Sequence, residues 1–341
     1  MRLLILFVGG GSAGHIAPSV AVWRTINAEH PDIRAHFVCS CRQTDLLFLE
    51  GEHLPYTITP SPRVGWTFPF LFWKSLFHAF FILHEHKPQL IFSTGGYVGI
   101  PLCIAAWTQG IPIILHESDA VMGRANRLIA KIAKYVHYGF PTGNPVRPHI
   151  TQGSKEKGFH ITGFSGKRPI LLVWGGSQGA QAMNEVIVKM LPDLTKLCDI
   201  IHITGPGKNH SPRTSSYWST EFATSALPHL FAIAELAVSR SAASSIAELA
   251  ANGIPALLVP LRGLAQDHQL QNAKLAAMSG GCILLHQDDL EHELCPLVNS
   301  LLQNPDRLQE MRASMQTLSA SDASGLICKI IFQYIENSQS P

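Results

Sequence analysis

Short apolar runs alternate with longer helical stretches along the whole chain, and this alternation restricts the fold more than any other feature of the sequence. The runs are rich in Ile, Leu and Val at successive positions, which is typical of parallel strands covered by helices on both faces of the sheet. The predicted strands are Leu3–Val8, Ala35–Cys39, Leu90–Phe92, Ile113–Leu115, Ile170–Trp174, Ile200–Thr204, Leu236–Val238, Ala256–Val259 and Cys282–Leu285. The predicted helices are Pro18–His30, Gly99–Gln109, Arg124–Lys134, Ala180–Lys196, Ser244–Asn252 and Gln266–Ser279. Strand followed by helix, repeated in this way, predicts an α/β fold.

The two halves of the chain begin alike. Leu3–Val8 leads into a glycine-rich turn, Gly9–Gly14, which we call the first glycine loop. Ile170–Trp174 leads into Gly175–Gly179, the second glycine loop. Two equivalent starts predict two domains of the same class, each with its own doubly wound, Rossmann-like sheet.

A polar interval separates the halves. Pro148–Lys157 is strand-free and poor in helical pattern, as expected of a linker. We therefore predict domains at residues 1–150 and 151–319 that face each other across a cleft, with ligand sites outside the carboxyl ends of the strands. Within residues 320–341, Ala323–Ile335 has the pattern of an amphipathic helix that would pack on either domain.

The composition agrees with a folded protein of this size and excludes one class of function. The 341 residues are 46% apolar and 15% charged, and the charged fraction is below the roughly 25% of an average soluble domain. Either much of the chain is buried, or part of its surface faces something other than water. Lys and Arg number 26 against 24 Asp and Glu, which is not the basic excess of a nucleic-acid-binding protein. We expect no nucleic-acid partner.

Cysteine usage and the N-terminal pattern predict a cytoplasmic protein. The seven cysteines include no Cys-x-x-Cys pair, and an odd number without a framework fits reduced thiols. Residues 1–8 are apolar, as at the start of a signal peptide, but the run enters a glycine loop and not a small-residue cleavage site. It is better interpreted as the first buried strand.

The first glycine loop has the Gly-x-Gly-x-x-Gly spacing of a dinucleotide fingerprint. A strand, a glycine turn and a helix start let backbone N–H groups approach an anion. The fingerprint also requires an acidic residue about 20 positions further on, at the end of the next strand. That predicted strand ends Phe37–Ser40 without an acid, so an NAD-dependent oxidoreductase is disfavoured. A turn that needs glycine only for packing is the structural alternative.

His15 directly follows the first glycine loop, and Pro18 after it suits a first helical turn. An imidazole at this place is a candidate general base for a substrate hydroxyl, because its ordinary pKa lies near neutral pH. The alternative is a histidine at a helix start whose ring is satisfied by its neighbours.

The second half has small hydroxyl residues at a predicted helix start. They lie in Arg240–Glu248, where backbone N–H groups would contact a diphosphate and Glu248, one turn later, would accept ribose hydroxyls. N-capping by Ser244 or Ser245 is the structural alternative. Capping accounts neither for Arg240 nor for Gln269, which stands in another helix start at Asp267–Asn272.

Seven segments in a fixed order together resemble the MurG family of peptidoglycan glycosyltransferases, which is glycosyltransferase family 28 with the GT-B fold. The resemblance runs from about residue 3 to residue 285. The matching segments are Gly10–His15, Thr94–Val98, Gly110–Glu117, Thr142–Arg147, Gly175–Ala180, Arg240–Glu248 and Asp267–Ala273. It implies inverting transfer of N-acetylglucosamine from UDP-GlcNAc to the 4-hydroxyl of the MurNAc of lipid I, an undecaprenyl-pyrophosphoryl-linked muramoyl peptide. The product would be lipid II for peptidoglycan synthesis.

The resemblance implies roles for residues on both glycine loops. His15 would be the catalytic base, and Ser12–Gly14 would lie against the donor sugar or the acceptor pyrophosphate. Arg147 and Ser177 would contact the donor diphosphate. The full predicted set of substrate-binding residues is Ser12, Ala13, Gly14, Tyr97, Asp119, Asn126, Arg147, Ser177, Gln178, Thr224, Arg240, Ala243, Ser244, Ser245, Ile246, Ala247, Glu248 and Gln269.

Further roles concern the nucleotide. By the same resemblance, Glu248 would hold the ribose, Ala243–Ala247 would line the nucleotide, and Gln269 would bind the GlcNAc hydroxyls. The uracil would be held near Thr224. Five more residues match family positions near the cleft without an assigned role: Tyr97, His116, Glu117, Asn126 and Asn184.

Four positions depart from the family pattern. Ser12 replaces a Thr and keeps the hydroxyl, while Ala242 replaces a Gly and His268 replaces a Gln. Asp119 stands where many members have Asn, and a carboxylate there would repel a diphosphate. None of the four removes a group that the chemistry requires.

We predict donor binding without a metal or another cofactor. A diphosphate leaving group needs positive charge, which Arg147 and helix N-termini would supply. The sequence has no Asp-x-Asp pair and no clustered His or Cys at metal-ligand spacing.

The most apolar window of the chain is Trp66–Leu83. Its 18 residues approach the length of a membrane span, but polar residues interrupt it and it stands between strands of the first predicted sheet. Phe70, Trp73, Phe77, Phe80 and Phe81 recur at helical spacing, whereas Leu71, Phe72 and Leu76 point elsewhere. We expect one face of this helix in the core and the other on lipid, with Arg63, Lys74 and Lys87 near anionic headgroups.

Domain roles and location follow from the resemblance. The N-terminal domain would take the acceptor and face the membrane, with the C-terminal helix packing back on it, and the C-terminal domain would bind UDP-GlcNAc. The enzyme would be peripheral on the cytoplasmic face of the cell membrane, with UDP-GlcNAc, lipid I, the membrane surface and other cell-wall enzymes as partners. The alternatives are a two-domain glycosyltransferase with another acceptor, and a non-enzymatic sugar-nucleotide-binding protein, which the presence of both His15 and Glu248 disfavours.

Overall fold

The structure is a computed structural model that describes residues 3–11, 13–60, 68–176, 178–208, 212–261, 263, 267–319 and 322–339. The chain divides into two compact units. Unit 1 consists of Met1–Arg147 together with Asp322–Pro341, and unit 2 is Pro148–Ser321.

Unit 1 is built on a six-stranded parallel sheet with the strand order β3-β2-β1-β4-β5-β6. The strands are β1 Leu4–Val8, β2 Arg34–Cys39, β3 Tyr56–Ile58, β4 Leu90–Ser93, β5 Ile113–Glu117 and β6 Tyr135–Tyr138. The helices are α1 Ala13–Glu29, α2 Gln43–Gly51, α3 Phe68–His86, α4 Gly96–Thr108, α5 Arg124–Ile129 and α6 Gly139–Thr142. Every residue of β1, β4 and β5 is buried, because helices cover both faces of the sheet.

Unit 2 repeats this topology with the strand order β12-β11-β10-β7-β8-β9. The strands are β7 Ile170–Trp174, β8 Asp199–Ile203, β9 Tyr217–Thr220, β10 Leu236–Ser239, β11 Ala256–Leu258 and β12 Cys282–Leu284. After a 3-10 turn at Pro148–Thr151, the helices are α7 Lys155–Thr162, α8 Gln181–Leu197, α9 Leu227–Ile233, α10 Ala243–Ala251, α11 His268–Ala277, α12 Leu290–Leu302 and α13 Pro305–Leu318. In both sheets the strand that leads into the glycine loop is central, and the chain reverses direction beside it.

The last described helix, α14 Ala323–Gln339, belongs to unit 1 and packs on α1. Ile327, Ile331 and Ile335 form a buried stripe at four-residue spacing. The rings of Phe332 and His30 lie 4.3 Å apart between centroids. The amphipathic pattern in the sequence therefore corresponds to one buried helix face.

The predicted α/β class with two Rossmann-like sheets is confirmed, and each of the predicted strands is present with ends shifted by at most a few residues. Three strands were not predicted: β3, β6 and β9. All three are edge strands. An edge strand is less enclosed than a central one, so β3 and β6 contain partly exposed residues and lack the continuous apolar run by which the central strands were recognised.

The apolar segment of the sequence forms α3, although its first residue, Trp66, lies outside the described residues. Ala79, Ile82 and Leu83 are buried against the sheet. On the opposite face four rings are largely exposed, namely Phe70 at 74%, Trp73 at 58%, Phe77 at 72% and Phe81 at 61%. We call these four residues the aromatic stripe. Among the described helices, none has the length and apolar character needed to cross a bilayer.

Candidate active site

Both glycine loops lie at the topological switch point of their sheet. At this point the strand order reverses, so that later strands are added on the other side of the central strand. In unit 1 this point is between β1 and β4, and in unit 2 it is between β7 and β10. Ligands of open α/β sheets bind outside the carboxyl ends of the strands at this position. Most residues of the predicted site lie in segments that follow these strands and β5.

His15 is the third residue of α1, immediately after the first glycine loop. Its Nδ1 is buried and has no hydrogen-bond partner among the described residues. The Thr94 hydroxyl, at the end of β4, donates to the His15 carbonyl, and the Thr94 N–H donates to the Val8 carbonyl (2.9 Å). A Cβ at Gly9 would lie 2.1 Å from Thr94 Oγ1, so this contact requires glycine at position 9.

The backbone of Gly11 is held through both of its polar groups. Its N–H donates to Asp45 Oδ2 (2.8 Å), and its carbonyl accepts from Arg42 Nη1 (2.6 Å). The same Asp45 oxygen accepts from Ser40 Oγ (2.6 Å), and the Asp45 side chain is fully buried. Sequence reasoning missed Asp45 because it searched for an acid at the end of β2, and Asp45 stands in the first turn of α2.

Asp45 also bears on the dinucleotide alternative. A dinucleotide pyrophosphate would need the N–H groups of the first glycine loop, and the Gly11 N–H is bonded to a carboxylate of the chain itself. A second anion at this place would be repelled at short range.

A buried carboxylate supports the loop that follows β4. Glu117 Oε2 accepts from Asn126 Nδ2 (2.8 Å), and Asn126 Oδ1 accepts from the Gly96 N–H (3.3 Å). Glu117 Oε1 accepts from the Asp119 N–H (3.0 Å), and burial raises the pKa of Glu117. In this structure Asn126 therefore connects Glu117 to the first turn of α4.

Two buried histidines on neighbouring strands, His116 on β5 and His137 on β6, are held in defined tautomers. Asn144 Nδ2 donates to the Ser118 carbonyl (3.1 Å), which turns Oδ1 towards His116 Nε2 (3.1 Å). His116 Nε2 therefore carries the proton, and His116 Nδ1 accepts from His137 Nδ1 (3.0 Å). Burial and the neighbouring His137 lower the pKa of His116 to about 3, and burial lowers that of His137 to about 4.

Two other predicted residues of unit 1 differ in exposure. Tyr97, in the first turn of α4, is 40% exposed. Arg147 is buried, with Nη1 bonded to Glu52 Oε1 (3.0 Å) and its guanidinium 4.9 Å from the centre of the Phe48 ring. These contacts join Arg147 to α2 and to the residue that follows it.

The second glycine loop packs closely against the segment after β8. A Cβ at Gly179 would lie 1.9 Å from the Thr204 carbonyl oxygen, and its φ is +66°, so only glycine fits. Lys208 Nζ donates to the Gln178 carbonyl (2.5 Å), and the Gly179 carbonyl lies 3.4 Å from the same atom. Gln178 itself is exposed. An ammonium group therefore lies directly at this loop.

The first turn of α10 lies beside the second glycine loop. A Cβ built on Gly176 would be 3.8 Å from Ser245 Oγ. The N-cap position is Ala242, which has no side-chain acceptor, so the alternative that Ser244 or Ser245 caps the helix is wrong. Both serines lie inside α10. A helix start without a side-chain cap suits backbone contacts to an anion, although it does not by itself identify one.

The remaining polar residues of unit 2 fix the surroundings of α10. Arg240 Nη1 donates to the Val259 carbonyl (3.0 Å), and burial lowers the pKa of Arg240. Gln269 Oε1 accepts from the Leu261 N–H (3.0 Å). Both side chains are thus bonded to the segment that follows β11, next to β10 in the sheet.

The nucleotide-binding residues predicted around α10 differ in burial. Ala243, Ser245, Ile246 and Glu248 are buried, whereas Ser244 and Ala247 are partly exposed. Thr224 precedes α9, where its carbonyl accepts from the Leu227 N–H (3.2 Å).

Asn184, which sequence reasoning left without a role, belongs to a buried chain of hydrogen bonds. Its Nδ2 donates to the Thr204 carbonyl (2.8 Å), and its Oδ1 accepts from His202 Nε2 (3.1 Å). His202 Nδ1 then accepts from the Tyr217 hydroxyl (3.0 Å), and burial lowers the pKa of His202 to about 4. Asn184 therefore links α8 to β8 beneath the second glycine loop.

Ser12 and Ser177 lie outside the described residues, and Ala13 begins α1 without a described side chain, while Gly14 follows it in the helix. In the part of the chain that the structure describes, no group of three or more His, Cys, Asp or Glu side chains is arranged to hold a metal ion.

Two family models match the chain. The glycosyltransferase family 28 N-terminal domain matches residues 5–138, and the glycosyltransferase family 28 C-terminal domain matches residues 170–327. The two matches fall within unit 1 and largely within unit 2, and the second extends into α14.

Two named relatives and a solved structure are similar over nearly the whole chain. Two relatives are named UDP-N-acetylglucosamine--N-acetylmuramyl-(pentapeptide) pyrophosphoryl-undecaprenol N-acetylglucosamine transferase. The Clostridium kluyveri protein is 31% identical over 353 aligned positions, covering 97% of this chain and 99% of the relative. The Clostridium novyi protein is 32% identical over 351 aligned positions, covering 96% of each. A crystal structure of Acinetobacter baumannii MurG has a TM-score of 0.70 at 22% identity, covering 98% of this chain and 100% of the other.

Proposed function

The chain belongs to glycosyltransferase family 28, and from that membership we propose that it transfers N-acetylglucosamine from UDP-GlcNAc to the 4-hydroxyl of the MurNAc of lipid I, giving lipid II. The relatives are named for transfer of N-acetylglucosamine between UDP-N-acetylglucosamine and N-acetylmuramyl-(pentapeptide) pyrophosphoryl-undecaprenol. The observation that carries the proposal is the pair of equivalent switch points. The switch point of unit 1 bears His15, whose Nδ1 is buried and has no hydrogen-bond partner among the described residues. The switch point of unit 2 bears the start of α10, which has no side-chain cap and is followed by buried Glu248 in the same helix.

The reaction requires one base and a stabilised leaving group. His15 takes the proton of the acceptor 4-hydroxyl while that oxygen forms a bond to the anomeric carbon of GlcNAc. The bond from this carbon to the diphosphate oxygen breaks, UDP leaves with the electron pair, and the configuration at the carbon inverts. Direct displacement of this kind needs no covalent enzyme intermediate.

Unit 2 would hold the donor. The second glycine loop, with Ser177 and Gln178, and the first turn of α10 would receive the diphosphate through backbone N–H groups. Glu248 would accept the ribose hydroxyls, Gln269 would bind the GlcNAc hydroxyls, and the segment around Thr224 would hold the uracil. The contact of Arg147 with the diphosphate stays a prediction, since its guanidinium is bonded to Glu52 in unit 1.

We further propose that the protein acts as a peripheral enzyme on the cytoplasmic face of the cell membrane. The aromatic stripe of α3 is supporting evidence, because exposed rings on one helix face are costly in water and favourable in the interfacial region of a bilayer. Lys74 is exposed on the same helix and would approach anionic headgroups. A lipid-linked acceptor makes such a location useful.

The activity is tested by offering UDP-GlcNAc with a short-chain, water-dispersible lipid I analogue. We expect formation of the GlcNAc-MurNAc disaccharide and release of one UDP for each disaccharide formed. Reactions without the acceptor control for hydrolysis of the donor. UDP release without disaccharide, or transfer to an unrelated acceptor only, would contradict the proposal.

The membrane contact is tested by sedimentation with anionic lipid vesicles. Replacing Trp73 and Phe77 by Ser should reduce the bound fraction several-fold, because burial of each aromatic side chain contributes about 1.5–3 kcal/mol. Met278→Ser is a matched control, since Met278 is 81% exposed and belongs to unit 2. Equal partitioning of the double variant and the unchanged protein would refute this contact.

A further inference from the structure

Among the residues that the structure describes, none forms a hydrogen bond that would fix the orientation of the His15 imidazole through its Nδ1. Bases of this kind are commonly oriented by a hydrogen bond from the ring nitrogen that does not take the proton. Nδ1 of His15 is buried without a partner in the described part of the chain. The position of the ring therefore depends on the backbone that carries it.

That backbone is fixed at two points by side chains from other elements. On the N-terminal side of His15, Asp45 and Arg42 hold the N–H and the carbonyl of Gly11. At His15 itself, the hydroxyl of Thr94 donates to the main-chain carbonyl. The anchors come from the β2–α2 segment and from the end of β4, on either side of β1 in the sheet.

We propose that Asp45 and Thr94 are positioning residues for the catalytic base, acting through the backbone of Gly11 and His15. This inference rests on the proposed function of His15. A displacement of about 1 Å in a reacting group costs up to about a hundredfold in rate, so loose anchors would lower turnover without touching the substrate.

The chemistry of Asp45 suits an anchor and not a ligand contact. Its Oδ2 accepts two hydrogen bonds, from a backbone N–H and a serine hydroxyl, and both donors belong to the loops that it joins. An asparagine in place of Asp45 would keep the shape of the side chain but would replace one carboxylate oxygen by an amide NH₂, which is a hydrogen-bond donor. An amide N–H facing the Gly11 N–H would be repelled, and an amide oxygen there would be a weaker acceptor than a carboxylate.

Thr94 offers an isosteric pair of variants. Thr94→Val keeps the branched shape and removes the hydroxyl, whereas Thr94→Ser keeps a hydroxyl. Both are measured beside Asp45→Asn. Glu50→Gln is the control, because Glu50 lies on the same helix as Asp45, is exposed, and accepts a hydrogen bond from the Tyr56 hydroxyl away from the first glycine loop.

The readouts are kcat, the KM for UDP-GlcNAc, UDP binding by calorimetry, and vesicle binding as a report on unit 1. We expect kcat to fall about tenfold or more in Asp45→Asn and in Thr94→Val, with the donor KM and UDP affinity within about twofold of the unchanged protein. Thr94→Ser should recover most of the kcat lost in Thr94→Val. Glu50→Gln should leave all readouts unchanged.

The outcomes separate this inference from the proposed function. If the unchanged protein forms no disaccharide, the proposed function fails. If it is active and both Asp45→Asn and Thr94→Val retain its kcat, the positioning roles are refuted. If the variants lose vesicle binding and Tm together with kcat, the anchors stabilise unit 1 as a whole, which also overturns a role specific to the base.

Discussion

The two glycine loops have the same kind of sequence and the same place in the topology, but they are supported by opposite charges. At the first loop, the carboxylate of Asp45 accepts the Gly11 N–H. At the second loop, the ammonium of Lys208 donates to the carbonyls of Gln178 and Gly179. One loop therefore has a negative group bonded to its donors, and the other has a positive group bonded to its acceptors.

The difference shows that a glycine pattern specifies backbone freedom and not the ligand. Glycine allows the tight turn and the close approach of neighbouring strands in both loops. The charge that each loop favours in a ligand is set by groups outside the pattern, because a full charge within a few ångströms outweighs the partial charges of the backbone. By this criterion we expect a diphosphate to be attracted to the second loop, and the donor sugar to be favoured over the acceptor pyrophosphate at the first.

Beneath the loops the two units are alike again. In each, an asparagine amide donates to a backbone carbonyl and accepts from a histidine Nε2 at 3.1 Å, through Asn144 with His116 and through Asn184 with His202. In each, the histidine Nδ1 accepts a further hydrogen bond at 3.0 Å. The support is therefore shared, and the chemistry differs at the loops.

The largest expected effect concerns the first loop. His15→Ala should lower kcat about a hundredfold or more, because the acceptor hydroxyl would lose the general base that we propose. UDP binding should change little, since the proposed contacts to the ribose and the uracil lie in unit 2. Turnover is measured with the lipid I analogue and binding by calorimetry. Near-normal turnover would contradict the role of His15 as the general base.

For unit 2 we expect an effect on donor binding. Glu248→Gln should weaken the binding of both UDP and uridine about tenfold, because hydrogen bonds to a charged group contribute about 1.5–3 kcal/mol. Glu293→Gln is the control, as an exposed glutamate on α12 of the same unit. Equal affinity of Glu248→Gln for uridine would assign the ribose to another residue.

A smaller effect tests the sign of the charge at the second loop. Lys208→Met should weaken UDP binding about threefold, the scale of a partly exposed charge interaction, and leave uridine binding unchanged. Lys189→Met removes the same charge from α8, where Lys189 pairs with Glu291, and should have no effect. If UDP binding is unaltered in Lys208→Met, the contrast between the loops does not extend to the ligand.

Acid should destabilise unit 1 more than unit 2. Among the described histidines, the pKa is lowered to about 4 in His36, about 3 in His116 and about 4 in His137, all in unit 1, and to about 4 in His202 of unit 2. Burial is the main cause in each case. These rings stay neutral in the folded protein, whereas in the unfolded chain a histidine binds a proton below its ordinary pKa of about 6.5. The free energy of unfolding that is present above pH 6.5 is therefore lost as the pH falls towards 4.

Hydrogen exchange at about pH 7 and about pH 5, corrected for intrinsic rates, would measure the acid-induced loss of stability in each unit. Peptides from β4 and β5 should lose more protection than peptides from β7 and β8. The reverse order would contradict the assignment of the buried histidines as neutral.

Removal of metal ions should have the smallest effect. After exhaustive treatment with EDTA we expect unchanged kcat and donor KM, because backbone N–H groups and cationic side chains would stabilise the leaving diphosphate. Strict dependence on added Mg²⁺ or Mn²⁺ would show that the positive charge at the second loop is insufficient to stabilise the leaving diphosphate.

Much of the fold could be predicted from the sequence because a strand buried on both faces must be apolar at successive positions. This held for the central strands and for the edge strand β12, and failed for the edge strands β3, β6 and β9, which lack a continuous run of Ile, Leu and Val. The aromatic residues of α3 were recognised in the sequence, but which of them are exposed depends on how the helix lies on the sheet.

The candidate site was predictable to the extent that its residues follow strands at the switch points. His15 and the Arg240–Glu248 segment were identified in this way. Asp45 and Lys208 were not, because each is distant in sequence from the loop it contacts and carries no motif of its own. Arg147 could be named, but its ion pair with Glu52 joins residues 95 positions apart and is visible only after folding.

The sequence by itself therefore determined the strand-helix alternation, the two glycine loops and the residue types available for catalysis, because these depend on local backbone freedom and on periodicity. The tertiary structure alone decided which charge supports each loop, which histidine nitrogen carries a proton, and which aromatic rings remain exposed. These properties depend on groups that folding brings within about 3–4 Å of one another, where burial and short-range electrostatics determine protonation, orientation and charge.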